Sequence, residues 1–323
     1  MRTVAGPPLL PPGAADLLHS IDSGAVLGAS RQLHVLGECL ITVVKATAQS
    51  KADLVATVEA LARHVARTRG ASSQAVTNGL ERMTQPILGR QDRDSVDPDC
   101  GDKLIDSVQQ FRAELDGWLA SVRLHGRELL QTHRSVLAYD YSSTVAHVLA
   151  DAATAASGLT VFIPEARSLN GGVKYLADWH DLKVDVRLIP DAALGWAVAQ
   201  CDVAVVGAET LSVDGGCYNT IGTSLVAHEA ARQEIPFYVL SVLLKTDMQT
   251  SGGERPSPSL DFLDRIVVSA RGTDTSVAGT FPDLDYTVPE DITGVVTETG
   301  VVAPAQIREL ATAALGVPGG TDD

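Results

Sequence analysis

Residues 203–223 read Val-Ala-Val-Val-Gly-Ala-Glu-Thr-Leu-Ser-Val-Asp-Gly-Gly-Cys-Tyr-Asn-Thr-Ile-Gly-Thr, and this stretch decides the fold. The apolar run Val203–Val206 predicts a buried strand. Asp214-Gly215-Gly216 predicts a turn, and a helix is expected from Ser224 to Arg232. The segment therefore predicts a strand of a parallel sheet followed by a turn and a helix.

Polar residues of this stretch follow the strand and precede the helix. In a parallel sheet, ligands bind at the carboxyl ends of strands and at helix N-termini. Glu209, Asn219 and Thr223 are therefore expected to face one pocket. A plain strand–turn–helix with a solvated acid is an equally good interpretation of this segment taken alone.

Outward from this stretch, residues after 134 alternate between short apolar runs and helical patterns. The expected strands are Ser135–Tyr139, Leu159–Pro164, Val184–Pro190, Val203–Val206, Phe237–Leu240 and Arg265–Val268. The expected helices are Thr144–Ser157, Gly172–His180, Leu194–Ala199 and Ser224–Gln233. This βαβ series predicts an α/β fold with a mostly parallel sheet of five or six strands and right-handed crossovers.

The chain before residue 130 has a helical pattern. Apolar residues recur at three- and four-residue spacing over 14–46, 51–66 and 103–130. Another helix is expected to start with Ser72 or Ser73 as its cap, and 90–102 is expected to be an exposed loop. We therefore expect a helical N-terminal domain over 1–130 and a second domain over 131–323.

Composition narrows the classes of function. The chain has 323 residues, 45% of them hydrophobic, and a net charge of −15, so nucleic acids and anionic membranes are poor partners. Its apolar runs are shorter than a membrane span, and the first residues do not resemble a signal peptide. The four cysteines are widely spaced, which fits a reducing cytoplasm and predicts no metal site.

Hydroxyl residues follow the first strand. Asp140 comes first, and Ser142, Ser143 and Thr144 lie at the start of the next helix. Free backbone N–H groups and the helix dipole favour an anion there, which suits a phosphate. Ordinary N-capping is the commoner use of such residues.

Charged residues follow the later strands. Arg167 can present a planar fork to a phosphate or pair with Glu165 or Asp191. Asp191 either caps the next helix or accepts a hydrogen bond from a sugar hydroxyl. Lys245, beyond Phe237–Leu240, is a candidate phosphate partner or a solvated lysine.

The carboxyl ends of parallel strands meet at one edge, so these residues predict a single crevice. Its expected lining is Asp140, Ser142, Ser143, Arg167, Asp191, Glu209, Asn219 and Lys245. This mixture suits a polyhydroxylated, phosphorylated small molecule and does not suit a hydrophobic ligand.

Seven motifs occur in an order that resembles a known family. They are Tyr141–Val145, Glu165–Arg167, Asp191–Ala193, Gly207–Glu209, Asn219–Thr223, Pro236–Val239 and Asp285–Thr293. The chain resembles the translation initiation factor 2B α/β/δ family over 135–300. It does so more weakly through Gly28–Ser30 and 72–79.

That family's superfamily also holds methylthioribose-1-phosphate and ribose-1,5-bisphosphate isomerases. The resemblance implies a Rossmann-like C-terminal domain, homodimers formed through it, and a phosphosugar pocket between the domains. It also implies an initiation-factor partner, and no cofactor is expected.

The chain departs from the isomerase pattern at several positions, and these departures leave two hypotheses about its function. The isomerases use a cysteine where this chain has Asp140 and an aspartate where it has Glu209. A family lysine corresponds to Thr220, and two phosphate-binding arginines correspond to Leu27 and Ser72. Gly207–Glu209 together with Tyr141-Ser142 instead resembles the regulatory α-type subunits, which do not catalyse. The first hypothesis is therefore a non-catalytic member that binds a sugar phosphate or nucleotide.

The alternative is an aldose–ketose isomerase of divergent mechanism. Asp140 and Glu209 would then form a pair, one protonated and one ionised, that moves a proton between adjacent carbons. Cys217 is either a displaced catalytic thiol or a buried, inert cysteine.

Overall fold

The computed structural model describes residues 8–26, 28–47, 50–71, 73–89, 99–155, 158–180, 182, 184–249, 259–261 and 280–316. The chain divides into two compact units, Met1–Gly117 and Trp118–Asp323, and the division falls within a long helix. The helices are α1 (Pro12–Asp22), α2 (Ala29–Ala46), α3 (Lys51–Arg67), α4 (Gln74–Leu88), α5 (Cys100–Leu130), α6 (Ser143–Ala155), α7 (Gly171–Asp178), α8 (Leu194–Val198), α9 (Thr223–Arg232) and α10 (Ile307–Leu315).

The first unit is helical because its segments are amphipathic. In α2 the side chains of Leu33, Leu36 and Leu40 are buried at three- and four-residue spacing. The N-terminus of α3 is capped as its sequence suggests, because the Asp53 N–H donates to Ser50 Oγ at 3.3 Å. Ser73 precedes α4, but its hydroxyl makes no capping hydrogen bond.

The second unit contains the strands. They are β1 (Ser135–Ala138), β2 (Thr160–Pro164), β3 (Asp185–Ile189), β4 (Val203–Val206), β5 (Thr210–Ser212), β6 (Cys217–Thr220), β7 (Phe237–Leu240), β8 (Thr246–Asp247), β9 (Ser259–Asp261), β10 (Thr280–Pro282), β11 (Leu284–Thr287), β12 (Gly294–Thr297) and β13 (Gly300–Val302). Five of the six expected strands are confirmed as β1, β2, β3, β4 and β7. The sixth, Arg265–Val268, lies outside the described residues.

The main sheet has seven strands in the order β13-β12-β7-β4-β1-β2-β3. All neighbours are parallel except β12 and β13, so the mostly parallel sheet is confirmed. The expectation of five or six strands was too low. The strands β12 and β13 have only four and three residues, which is too short to show a period in the sequence.

A second sheet, in the order β11-β6-β5-β8, changes the interpretation of residues 203–223. The stretch between β4 and α9 is a hairpin, β5 and β6, rather than a turn alone. The turn at its tip is as expected: the Gly216 N–H donates to Asp214 Oδ1 at 3.0 Å, and Gly215 has φ 92°. The hairpin carries Asn219 and Thr220 to the start of α9.

Candidate functional site

The strand order reverses between β1 and β4. From β1 the chain runs outward through β2 and β3, then returns to β4 and runs outward through β7. Ligands of open α/β sheets bind at the carboxyl ends of strands at such a switch point. Asp140 lies two residues beyond β1 and Glu209 three residues beyond β4. The topology therefore brings these two acids to one place.

The Asp140 carboxylate is nearly buried and held by hydrogen bonds. Its Oδ2 accepts a hydrogen bond from Thr220 Oγ1 at 2.5 Å, and the Tyr141 N–H also donates to the carboxylate. Burial raises the pKa of Asp140, and the negative charge of Glu209 raises it further. The two hydrogen bonds and the positive charge of Lys174 act in the opposite direction.

Two glycines near Asp140 lie where the chain packs too closely to leave room for a side chain. A Cβ on Gly171, the first residue of α7, would lie 1.7 Å from Asp140 Oδ1. A Cβ on Gly207, which follows β4, would lie 2.6 Å from Ser142 Oγ. The missing side chains let α7 and the end of β4 contact the turn after β1.

The start of α6 lies at this turn. Ser142 caps the helix, since its Oγ accepts a hydrogen bond from the Val145 N–H at 3.4 Å. Within the described ranges, the N–H groups of Ser143 and Thr144 have no hydrogen-bond acceptor. Tyr175 Oη fixes the turn: it accepts from the Ser142 N–H at 3.3 Å and donates to the Asp140 carbonyl at 2.9 Å. The start of α6 therefore has both features considered from the sequence: a capping serine and N–H groups that can bind an anion.

Asn219 is buried beside Thr220. Its Nδ2 donates to Thr223 Oγ1 at 3.1 Å, and Thr223 Oγ1 donates to the Thr220 carbonyl at 2.7 Å. Thr223 is fully buried, so its hydroxyl serves this turn.

The N-terminus of α9, which the sequence had assigned to the pocket, is occupied by the chain itself. The Asp285 carboxylate accepts hydrogen bonds from the Gly222 N–H at 2.7 Å and from Ser224 Oγ at 2.7 Å. Asp285 comes from β11, 63 residues after Gly222, so no local capping motif announces it.

Arg167 and Asp191 follow β2 and β3 and contact each other, since the Arg167 N–H donates to Asp191 Oδ2. Arg167 is 55% exposed and pairs with Glu165 at 3.5 Å, one of its two expected ion pairs. Asp191 does not cap the next helix, so that one of its two interpretations is wrong. Its two oxygens accept the N–H groups of Ala166 and Arg167, both at 2.9 Å, because Ala166 adopts φ 48° and turns those groups outward.

Two lysines of the second unit bear on the site, and only one of them was predicted from the sequence. Lys245 was expected there, and its Nζ donates to the Ala208 carbonyl at 2.5 Å, next to Glu209. Lys174 was missed. It lies in α7, with Nζ 5.9 Å from the centre of the Tyr141 ring. Its position in the first turn of the helix after β2 was a signal, because that turn also lies at the carboxyl edge of the sheet.

Of the two interpretations of Cys217, the structure supports the buried, inert cysteine. It is fully buried in β6, and burial raises the pKa of its thiol to about 12. Leu27 and Ser72, the positions of the expected arginine losses, lie outside the described residues.

Neither a metal site nor a membrane span is found among the described residues. The described part of the chain holds no cluster of three His, Cys, Asp or Glu side chains placed to bind a metal ion. It also holds no helix with the length and apolar content needed to cross a membrane.

Comparisons with known proteins agree with the motifs. Methylthioribose-1-phosphate isomerase of Geobacter sp. strain M21 is 32% identical over 250 residues, which are 72% of this chain and 70% of that protein. Translation initiation factor eIF2B subunit alpha of Caenorhabditis elegans is 26% identical over 202 residues, 62% of this chain and 65% of that protein. The chain thus spans less than two thirds of the worm subunit.

Solved structures confirm the fold. The Pyrococcus horikoshii OT3 translation initiation factor eIF-2B superposes with a TM-score of 0.77 at 20% identity, covering 92% of this chain and 99% of that one. The 5-methylthioribose 1-phosphate isomerase of the same organism gives 0.74 at 19%, covering 94% and 87%. A model of the initiation factor 2 subunit family matches residues 26–304. The chain therefore belongs to the initiation factor 2 subunit family.

Proposed function

We propose that this chain binds a phosphorylated sugar or a nucleotide at the switch point between β1 and β4, and that it does so without thiol-based isomerase chemistry. The observation that carries the proposal is the polar turn after β1. It joins an open helix N-terminus, at Ser143 and Thr144, to the nearly buried Asp140. Anions favour the first feature, and sugar hydroxyls can donate to the second.

We propose the N-terminus of α6 as the binding position of the phosphate. Ser143 and Thr144 offer N–H groups and hydroxyls there. Lys174, Arg167 and Lys245 are the candidate charged partners. Lys174 is supported best, since its charge acts on Asp140, whereas Arg167 pairs with Glu165.

The absence of a thiol at position 140 argues against the isomerase route. Asp140 stands in that place, and Cys217, the candidate for a displaced thiol, is buried with a raised pKa. The alternative, an isomerase with Asp140 and Glu209 as acid and base, is less well supported. Burial and the charge of Glu209 raise the pKa of Asp140, as such a pair requires, but the Thr220 hydroxyl and the Tyr141 N–H already donate to its carboxylate and fix it in place.

We further propose that two copies associate through Asp285–Thr293 of the second unit. A tetrameric eIF2B-beta2-delta2 complex from C. thermophilum has the same fold, with a TM-score of 0.65 at 17% identity, covering 92% of this chain and 94% of that one. An initiation-factor partner and a cytoplasmic location are part of the same proposal. The four free cysteines support a reducing compartment.

A thermal-shift screen tests ligand binding. Pentose phosphates and nucleoside monophosphates should raise the melting temperature, because a ligand of the folded state stabilises it, and unphosphorylated sugars should do so less. If no phosphorylated compound changes the melting temperature at millimolar concentration, the proposed ligand class is wrong.

An activity assay tests the chemistry. We expect no turnover of methylthioribose-1-phosphate or ribose-1,5-bisphosphate. Turnover at ordinary enzymatic rates that is abolished in Asp140→Ala would establish the carboxylate mechanism instead.

A further inference from the structure

The turn between β6 and α9 is held from the side of β1 by two adjacent residues. Thr220 Oγ1 donates to Asp140 Oδ2 at 2.5 Å, and Tyr139 Oη donates to the Ile221 carbonyl at 2.7 Å. Gly222 follows with φ 103°, and a Cβ there would lie 2.1 Å from Tyr139 Oη. The turn therefore packs directly on the end of β1.

The same turn is held from the other side by Asp285 in β11. Its carboxylate accepts the Gly222 N–H at 2.7 Å, the Ser224 N–H at 3.2 Å and Ser224 Oγ at 2.7 Å. Because β11 pairs with β6, with Asp285 opposite Asn219, the carboxylate lies at a fixed register beside the turn. Asp285 thus does the work of an N-cap residue for α9, whose own N-cap position is Gly222.

We propose that Asp285 is a positioning residue that keeps the Thr220 hydroxyl hydrogen-bonded to the Asp140 carboxylate. Without the Asp285 carboxylate, the Gly222 and Ser224 N–H groups lose their acceptor, and on this side the turn keeps the backbone bond from the Ile221 N–H to the Asp283 carbonyl at 2.9 Å. The turn can then shift at Gly222 relative to β1. Thr220 is two residues from Gly222 and moves with it. The inference deepens the proposed function and rests on it only in placing Asp140 in the ligand site.

The charges around Asp140 and Asp285 determine whether replacing Asp285 raises or lowers the pKa of Asp140. Asp140 faces Lys174, Glu209 and Tyr175, and the hydrogen bond from Thr220 lowers its pKa. Asp285 faces Tyr139 and Cys217. Removing a negative charge near Asp140 would by itself lower the pKa of Asp140, because the anion would be repelled less. Losing the Thr220 bond raises that pKa, so the two causes act in opposite directions.

The test is the titration of Asp140 by carbon NMR in the ligand-free, full-length protein, with its signal assigned by Asp140→Asn. In Asp285→Asn the pKa of Asp140 should rise above that of the parent. It should also rise in Thr220→Val. In the Thr220→Val background Asp285→Asn should cause no further rise, because its positional effect acts through Thr220 and only the loss of its charge, which lowers the pKa, remains. The matched control is Asp214→Asn, which removes a carboxylate that likewise accepts from a backbone N–H and a hydroxyl. It should leave Asp140 unchanged.

A second, milder variant guards against failure to fold. Ser224→Ala removes one donor to Asp285 and should raise the pKa of Asp140 by less. If no folded variant of Asp285 or Ser224 raises it, or if the double variant exceeds Thr220→Val, the assignment is overturned. Since the titration needs no ligand, that failure is distinct from the failure of the phosphate screen.

Discussion

Gly171 lies against the carboxylate of Asp140, with no room between them for a methyl group. Its Cβ would lie 1.7 Å from Asp140 Oδ1 and 3.0 Å from the Tyr141 nitrogen. Gly171→Ala should therefore displace Asp140 and destabilise the protein by about 1–3 kcal/mol. Urea unfolding measures this. Gly117→Ala is the control, because a Cβ there meets no described atom within 4 Å, and it should stabilise α5 by about 0.5–1 kcal/mol. Equal effects of the two substitutions would contradict the packing argument.

Asp191 stabilises the turn after β2 rather than a helix. Asp191→Ala removes the acceptor of two backbone N–H groups and should lower the free energy of unfolding by about 1.5–3 kcal/mol. The control is Asp185→Ala, since the Asp185–Arg187 pair is half-exposed on both sides and should be worth about 0–1 kcal/mol. Denaturant unfolding of both variants decides the matter. A loss in Asp191→Ala no larger than in Asp185→Ala would show that the turn does not need this carboxylate.

The cysteines should resist thiol reagents in the folded protein. All four are buried, and burial raises the pKa of the Cys39, Cys201 and Cys217 thiols to about 12 each. The thiolate is the reactive form, so a chromogenic disulfide should react only after denaturant is added, and then with four thiols. Rapid modification of Cys217 in the native protein would revive it as a catalytic thiol.

Lys174 should contribute to binding of a phosphorylated ligand. Lys174→Met removes its charge with little change in volume and should weaken binding of ribose 5-phosphate about tenfold or more, measured by calorimetry. Binding of ribose should not change. Lys51→Met, an exposed lysine at the start of α3, is the control.

Substitution of the two cationic residues that the sequence predicted, Arg167 and Lys245, tests the same pocket. Arg167→Ala and Lys245→Ala complete the series with Lys174→Met. If all three variants bind ribose 5-phosphate as tightly as the parent, the phosphate lies elsewhere.

Association through Asp285–Thr293 predicts a dimer at micromolar concentration. Val288 is 40% exposed in this segment, so Val288→Asp should place a charge in the interface and shift the sedimentation coefficient towards the monomer. Val301→Asp, at a 48% exposed position of β13 outside the segment, should not. A parent chain that sediments as a monomer would contradict this arrangement.

Much of the fold could be read from the sequence because its signals are local. The run Val203–Val206 is a strand in full, and Phe237–Leu240 is another, since short apolar runs bounded by turn residues are typical of buried parallel strands. The hairpin β5–β6 was missed because its polar residues, such as Thr210 and Asn219, are buried by the second sheet.

The site was predicted less completely because its contacts join distant parts of the chain. Asp140 and Glu209 could be paired in advance by the rule that strand ends meet. Neither the bond from Thr220 nor the capping of α9 by Asp285 has a sequence pattern, because both depend on how two sheets pack. Lys174 had a signal in its position in the first turn of the helix after β2, but its nearness to Asp140 depends on the contact of Gly171 with Asp140.

The hydrogen bond between Thr220 and Asp140 spans 80 residues, and Asp285 reaches back 63 residues to Gly222. Contacts so distant in the chain form slowly, because a long loop must close before they are gained. During synthesis on the ribosome, β1 and its acid emerge well before the strand that caps α9. A nascent chain that has not yet exposed Asp285 therefore lacks a finished site, so binding should begin only after this residue has left the ribosome.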